Sequence, residues 1–175
     1  MSAAVVVLAV LVVVLAAALV AVYARRSRRP RRLPVDGSAR RVLVAFSGSL
    51  DPTVVDAAIR IARADEAVLV PAYLLVVPLR YAEDSPLHDE VQMAMPFLEA
   101  VEHAALRAGV PVDARIEKGR TLTHALKRLW EVERFDRIIA PAPTNRHGFT
   151  EKDLAWVLTH APSETVVLKP MPDAA

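Results

Sequence analysis

The chain has no cysteine. Disulfides and thiolate metal sites are thereby excluded, in keeping with a reducing cytoplasm. No two histidines stand at ligand spacing: His88, His103, His124, His147 and His160 are scattered, and no carboxylate completes a zinc-type motif. Ser47 and Ser49 lack the Gly-x-Ser-x-Gly setting of a nucleophile elbow. The acid pairs Glu83/Asp84 and Asp89/Glu90 read as solvated loop and first-turn acids rather than an acid–base couple. No catalytic residue and no metal site is expected. Internal repeats are also absent.

Charge is missing from the first two dozen residues. Ala3 to Ala24 form a run of 22 residues without charge, proline or glycine. That is about 33 Å of helix, enough to cross a hydrocarbon core about 30 Å thick. Arg25, Arg26, Arg28, Arg29, Arg31 and Arg32 follow at once, with Tyr23 placed as an interfacial anchor. An arginine block beside an apolar span stays on the cytoplasmic side. Residues 1–24 are therefore expected to be a single-pass inner-membrane anchor, N-terminus outside, with the following domain in the cytoplasm. The competing reading is a secretory signal peptide, which needs positive charge before the apolar core; Met1 and Ser2 supply none. The same six arginines are placed to meet anionic lipid headgroups. Pro30, Pro34 and Gly37 mark residues 25–40 as a basic, extended linker.

The net charge of +2 conceals two opposite parts. Taking the eight arginines and one acid of 25–41 from the 22 basic and 20 acidic residues leaves 14 and 19, a net charge of −5 beyond the linker. An acidic globular part argues against nucleic-acid binding, which wants a basic face on the domain itself.

From Arg41 onward strands and helices alternate. RVLVAF (41–46) is a buried strand ending in the Ser47-Gly48-Ser49 turn, and Asp51 caps a helix with Pro52 at its first position and Val55, Ala58, Ile59 and Ala62 inward. Residues 67–77 are apolar enough for the centre of a parallel sheet, with Pro71 marking an irregularity or a later start. Residues 89–108 form a helix with Val91, Met95, Leu98, Val101 and Ala105 on one stripe, stopped by Gly109 and Pro111; Pro96 is a kink or the first turn. A strand over 112–117 and a helix over 121–133 follow. The intervening Lys118-Gly119-Arg120-Thr121 reads as a polar turn with Thr121 as N-cap, the alternative being an anion site. A strand over 137–140, a helix from a capping box at Thr150–Asp153 to His160, and a strand over 165–169 complete the pattern. Five strands and four helices make an open parallel α/β sheet. Ligands in such sheets bind beyond the carboxyl ends of the strands, here at Ser47–Ser49 and Pro141–Phe149.

With these residues on the page, 41–170 resembles the universal stress protein family. The resemblance rests on RVLVAFSGS, FDRIIAPA and, most specifically, VLTHAPSETVVLKP. It implies a five-stranded sheet ordered 3-2-1-4-5 and a homodimer through the last strand, where Val166, Val167 and Leu168 make an apolar edge; residues 171–175 are left as a short tail. Many members bind ATP or AMP, and here the motif departs. Ser47 stands where the family usually has Asp. The family's Gly-x-x-Gly, nine residues and Gly-Ser or Gly-Thr meet Ala140, Pro143, a spacer of seven and Glu151-Lys152. Proline donates no N–H to a phosphate and Glu151 repels one. Gly48, Ser49, Arg146, Gly148 and Lys152 remain as crevice candidates. The expected state is a membrane-anchored, non-catalytic signalling or interaction module without ATP, AMP or other cofactor; a small-molecule sensor holding an adenine nucleotide or another anion is the alternative.

Overall fold

The computed structural model describes residues 39–143 and 148–169. The apolar run, Arg25 to Arg32, the linker up to residue 38, Arg146 and the tail lie outside the described residues. Among the described residues no helix is long and apolar enough to cross a membrane.

The elements, in chain order, are β1 (Arg41–Phe46), α1 (Pro52–Ala64), β2 (Val68–Val76), α2 (His88–Arg107), β3 (Arg115–Gly119), α3 (Leu122–Val132), β4 (Arg137–Pro141), α4 (Glu151–His160) and β5 (Glu164–Leu168). The strands form one parallel sheet in the order β3-β2-β1-β4-β5, as expected. Central β1 has five consecutive buried residues, Val42–Phe46, because helices cover both faces. One face packs Leu43, Val70, Leu74 and Ile138 against Leu126, Leu129 and Val157 of α3 and α4. The other packs Val42, Val44, Leu69 and Ile139 against Ala58, Ile59, Val101 and Ala105 of α1 and α2. Each large aliphatic side chain so buried contributes about 2 kcal/mol.

Helix ends follow the local chemistry. The Asp51 carboxylate accepts from Thr53 N at 2.7 Å with Pro52 at the first position. Thr121 Oγ1 accepts from His124 N at 3.0 Å. Thr150 and Asp153 close the expected capping box. Gly109 ends α2 at φ +72°, a left-handed conformation that glycine adopts without a Cβ penalty.

Three local expectations are corrected. On α2 the buried stripe is Ala94, Leu98, Val101 and Ala105; Met95 faces solvent, and the helix begins at His88, so Pro96 is interior. On α1 it is Val54, not Val55, that is fully buried. The strand expected over 112–117 is broken: Val112 bridges Leu69, whose C=O accepts the Asp113 N–H at 2.9 Å, residues 113 and 114 lie outside the ladder, and it resumes at Arg115 opposite Ala72. Pro71 is the cause. Leu69 N–H bonds Pro111 O on this side of β2, whereas Val68 N–H bonds Arg40 O on the other. By that alternation residue 71 should donate toward Asp113 and Ala114, and proline has no N–H to give.

Candidate functional site

The carboxyl ends of β1 and β4 are brought together as the sheet order requires. Ser47 meets Gly148 there: a Cβ on Gly148 would lie 3.3 Å from Ser47 O, so the two loops touch backbone to backbone. Phe149 turns into the core below. Ser49 is exposed beside this contact, and Lys152 is exposed on the first turn of α4. Arg146 lies outside the described residues.

An anion at this position would need backbone N–H groups. Four of the nearby ones have protein acceptors. Gly48, at φ +73°, donates to the Tyr73 hydroxyl at 3.2 Å. Ala142 donates to Leu168 O at 2.7 Å. Thr150 donates to Asp153 Oδ2 at 3.0 Å, and Asp153 donates to Thr150 Oγ1 at 3.2 Å. Pro141 and Pro143 have no N–H at all. Glu151 and Asp153 place two acids in the first turn of α4. Tyr73 is itself fixed in an aromatic column, edge-on to Phe46 at 5.5 Å and stacked on Phe97 at 6.4 Å.

The two cations of the β3–α3 turn are likewise engaged. Lys118 Nζ donates to Ser85 O at 2.6 Å, and Arg120 Nη1 donates to Pro78 O and Tyr81 O at 3.0 Å. They clamp the β2–α2 loop, and the turn is the polar, Thr121-capped one. His124 Nδ1 accepts the Arg120 N–H at 3.3 Å and lies 3.5 Å from Glu83 Oε1, which also accepts from Arg128 at 3.1 Å. Among the described residues no group of His, Asp or Glu forms a metal site.

The opposite, amino edge of the sheet holds what the sequence reading missed. Asp113 Oδ2 accepts from Arg41 at 2.9 Å and Arg115 at 2.8 Å, and Glu133 pairs with both arginines. Burial pushes the Asp113 carboxyl up, but the hydrogen bonds and charges of Arg115 and Arg41 outweigh it and leave it below the ordinary carboxylate range. Arg137 bridges Asp65 at 2.6 Å and Glu164 at 2.8 Å. The signal was present: β1, β3 and β4 each begin with arginine. Along α3 and α4, Trp130, Trp156 and His160 form a continuous stack, with centroids 5.3 and 4.8 Å apart and both tryptophans partly buried against the core.

On β5, Val166 and Leu168 pack toward α1 and α2 while Val167 is 37% exposed.

No protein-family profile and no curated protein sequence matches the chain. Solved structures do. A universal stress protein family structure from Burkholderia pseudomallei is 23% identical, with a TM-score of 0.53, over 73% of this chain and 94% of that one. The universal stress protein UspA of Lactobacillus plantarum is 18% identical, with a TM-score of 0.58, over 74% and 99%. An Arabidopsis thaliana universal stress protein family structure with AMP bound is 16% identical, with a TM-score of 0.55, over 77% and 94%. The fold is that of the universal stress proteins.

Proposed function

We propose that the chain is a membrane-anchored, non-catalytic interaction module: a universal-stress-protein-like domain held at the inner face of the membrane by residues 1–24, without ATP in the β1/β4 crevice. The observation that carries this reading is the state of the crevice N–H groups. Gly48, Ala142 and Thr150 donate within the protein, and Pro141 and Pro143 donate nothing. A triphosphate would have to displace those bonds and approach Glu151. The domain works through contacts with other proteins, a second copy included.

Incubating the full chain in detergent with ATP, AMP and cyclic AMP in a thermal-shift assay tests it. A ligand at a hundredfold excess over its dissociation constant stabilises by about 2.7 kcal/mol, a shift of several degrees. No shift is expected. A clear shift with AMP supports the second reading, a nucleotide sensor, which the AMP-bound Arabidopsis neighbour favours. For the anchor, a reporter fused after Ala175 is expected to be active only in the cytoplasmic form, and periplasmic activity would overturn the topology.

A further inference from the structure

Lysine and arginine are missing from two stretches of the chain, residues 42–59 and 81–106. The first holds two acids and the second six. α1 and α2 run antiparallel to the strands, so their first halves lie on one face toward the carboxyl edge. Asp56, Asp84, Asp89, Glu90 and Glu99 belong to this region, and among the described residues none of the five is in an ion pair. The cations nearest in the fold are engaged. Lys118 and Arg120 donate to carbonyls of the β2–α2 loop, and Arg80 covers the Tyr81 ring at 4.9 Å. Further along α2, burial and the Glu99 charge raise the Glu102 carboxyl.

α2 is also more apolar than the sheet requires. Its buried stripe is Ala94, Leu98, Val101 and Ala105. One residue earlier runs a second stripe at the same helical spacing: Met93, Phe97, Ala100 and Ala104. Met93 is 63% exposed and Phe97 37%, while Ala104 packs against the core. Exposed apolar residues scattered singly are ordinary, but these four lie on one line along the helix. Phe97 is stacked on the Tyr73 ring, so the stripe is held before anything binds. Asp89 and Glu90, four and three residues before Met93, flank its start.

We infer that this second stripe of α2 receives a cationic amphipathic helix of a partner protein. The partner's apolar side chains lie on Met93, Phe97 and Ala100. Its lysines or arginines meet Asp89, Glu90 and, on neighbouring α1, Asp56. A stripe at helical spacing fits the i, i+3, i+4 and i+7 positions of another helix, and methionine adapts to varied side chains. Charge selects the occupant. Unpaired acids, with no lysine or arginine on the first half of either helix, repel nucleic acid, anionic lipid and acidic helices and draw a basic one. The inference rests on the interaction-module reading above and names the chemistry of its partner.

The chain has no cysteine, so a fluorophore can be confined to one site. Single-cysteine variants Ala100→Cys and Val132→Cys, both at exposed positions, carry an environment-sensitive label on the full chain in discs of neutral phospholipid. The probe is a synthetic leucine–lysine peptide with its leucines at helical spacing. A saturable blue shift is expected from the Ala100→Cys label and none from the Val132→Cys label. A leucine–glutamate peptide is expected to shift neither. Asp56→Asn, Asp89→Asn and Glu90→Gln together are expected to weaken binding about tenfold. Trp130 and Trp156, the only tryptophans, pack on the other face of the sheet and report that each variant is folded. A shift that is absent, equal at both labels, equal with the glutamate peptide or unchanged in the triple variant overturns the docking alone. AMP is added to parallel samples, and stabilisation by it overturns the module reading and the docking with it.

Discussion

Gly48 donates its backbone N–H to the Tyr73 hydroxyl at 3.2 Å, across 25 residues of chain. The β1 turn, where an open α/β sheet usually receives its ligand, is thereby tied to the aromatic column Phe46–Tyr73–Phe97. Tyr73→Phe keeps the ring and removes the acceptor. Urea denaturation is expected to show a loss of about 1 kcal/mol with an unchanged slope. A wild-type midpoint would mean that water replaces the hydroxyl at no cost.

Gly119 fixes how closely β3 approaches α3. A Cβ there would lie 2.5 Å from Ala125 N and 2.8 Å from Ala125 Cα, and both are backbone atoms of a helix. Gly119→Ala must push strand and helix apart and is expected to cost about 2 kcal/mol, measured by denaturant midpoint. Unchanged stability would mean that the interface yields freely.

Acid stability carries two opposing signs. Burial raises the Glu117 carboxyl above its ordinary 4.5, against the pull of Arg115 and Arg128. A native value above the unfolded one penalises the charged form, so Glu117 costs stability as pH rises through the native value. Glu117→Gln is expected to stabilise the fold at neutral pH, the gain fading below 4.5. Asp113 is the reverse: its native value is lowered, so its contribution is present above 3.8 and lost as pH falls through the native value. Asp113→Asn is expected to cost about 2 kcal/mol at neutral pH. Denaturation midpoints of both variants at neutral and acid pH check the signs.

Assembly is the fourth expectation. Leu168 C=O accepts from Ala142, so Leu168 turns its backbone toward β4 and Val167 turns outward. Two β5 edges paired about a two-fold axis satisfy such outward groups. The full chain in detergent is expected to be a homodimer by light scattering, and Val167→Pro, which removes an outward N–H without touching β4, is expected to be a monomer. A monomeric wild-type chain refutes this interface.

The architecture was legible because each element announces itself locally. β-branched runs, the Asp51-Pro52 start, Gly109, and the Thr150–Asp153 box all concern neighbours in sequence. The crevice was legible in part: Pro143 and Glu151 could be read as hostile to phosphate without coordinates. What could not be read were relations across the sheet. Tyr73 reaches Gly48 only through the β1–β2 register. Lys118 and Arg120 looked available to an anion because their acceptors are carbonyls some 30 to 40 residues away. Met95 was misplaced for a simpler reason: Ala94 is as apolar as a buried helix position needs and gives no periodic signal against its larger neighbours.

The interruption opposite Pro71 makes the two sides of the sheet unequal. β5 is a continuous row of backbone groups, whereas the β3 side is an isolated bridge at Val112, a two-residue gap and a five-residue strand bearing arginine, glutamate and lysine. Head-to-tail growth of a fibril needs both borders of a sheet to accept a strand. With one of them broken and charged, pairing through β5 would stop at two copies, because the other border offers no continuous register for a further strand.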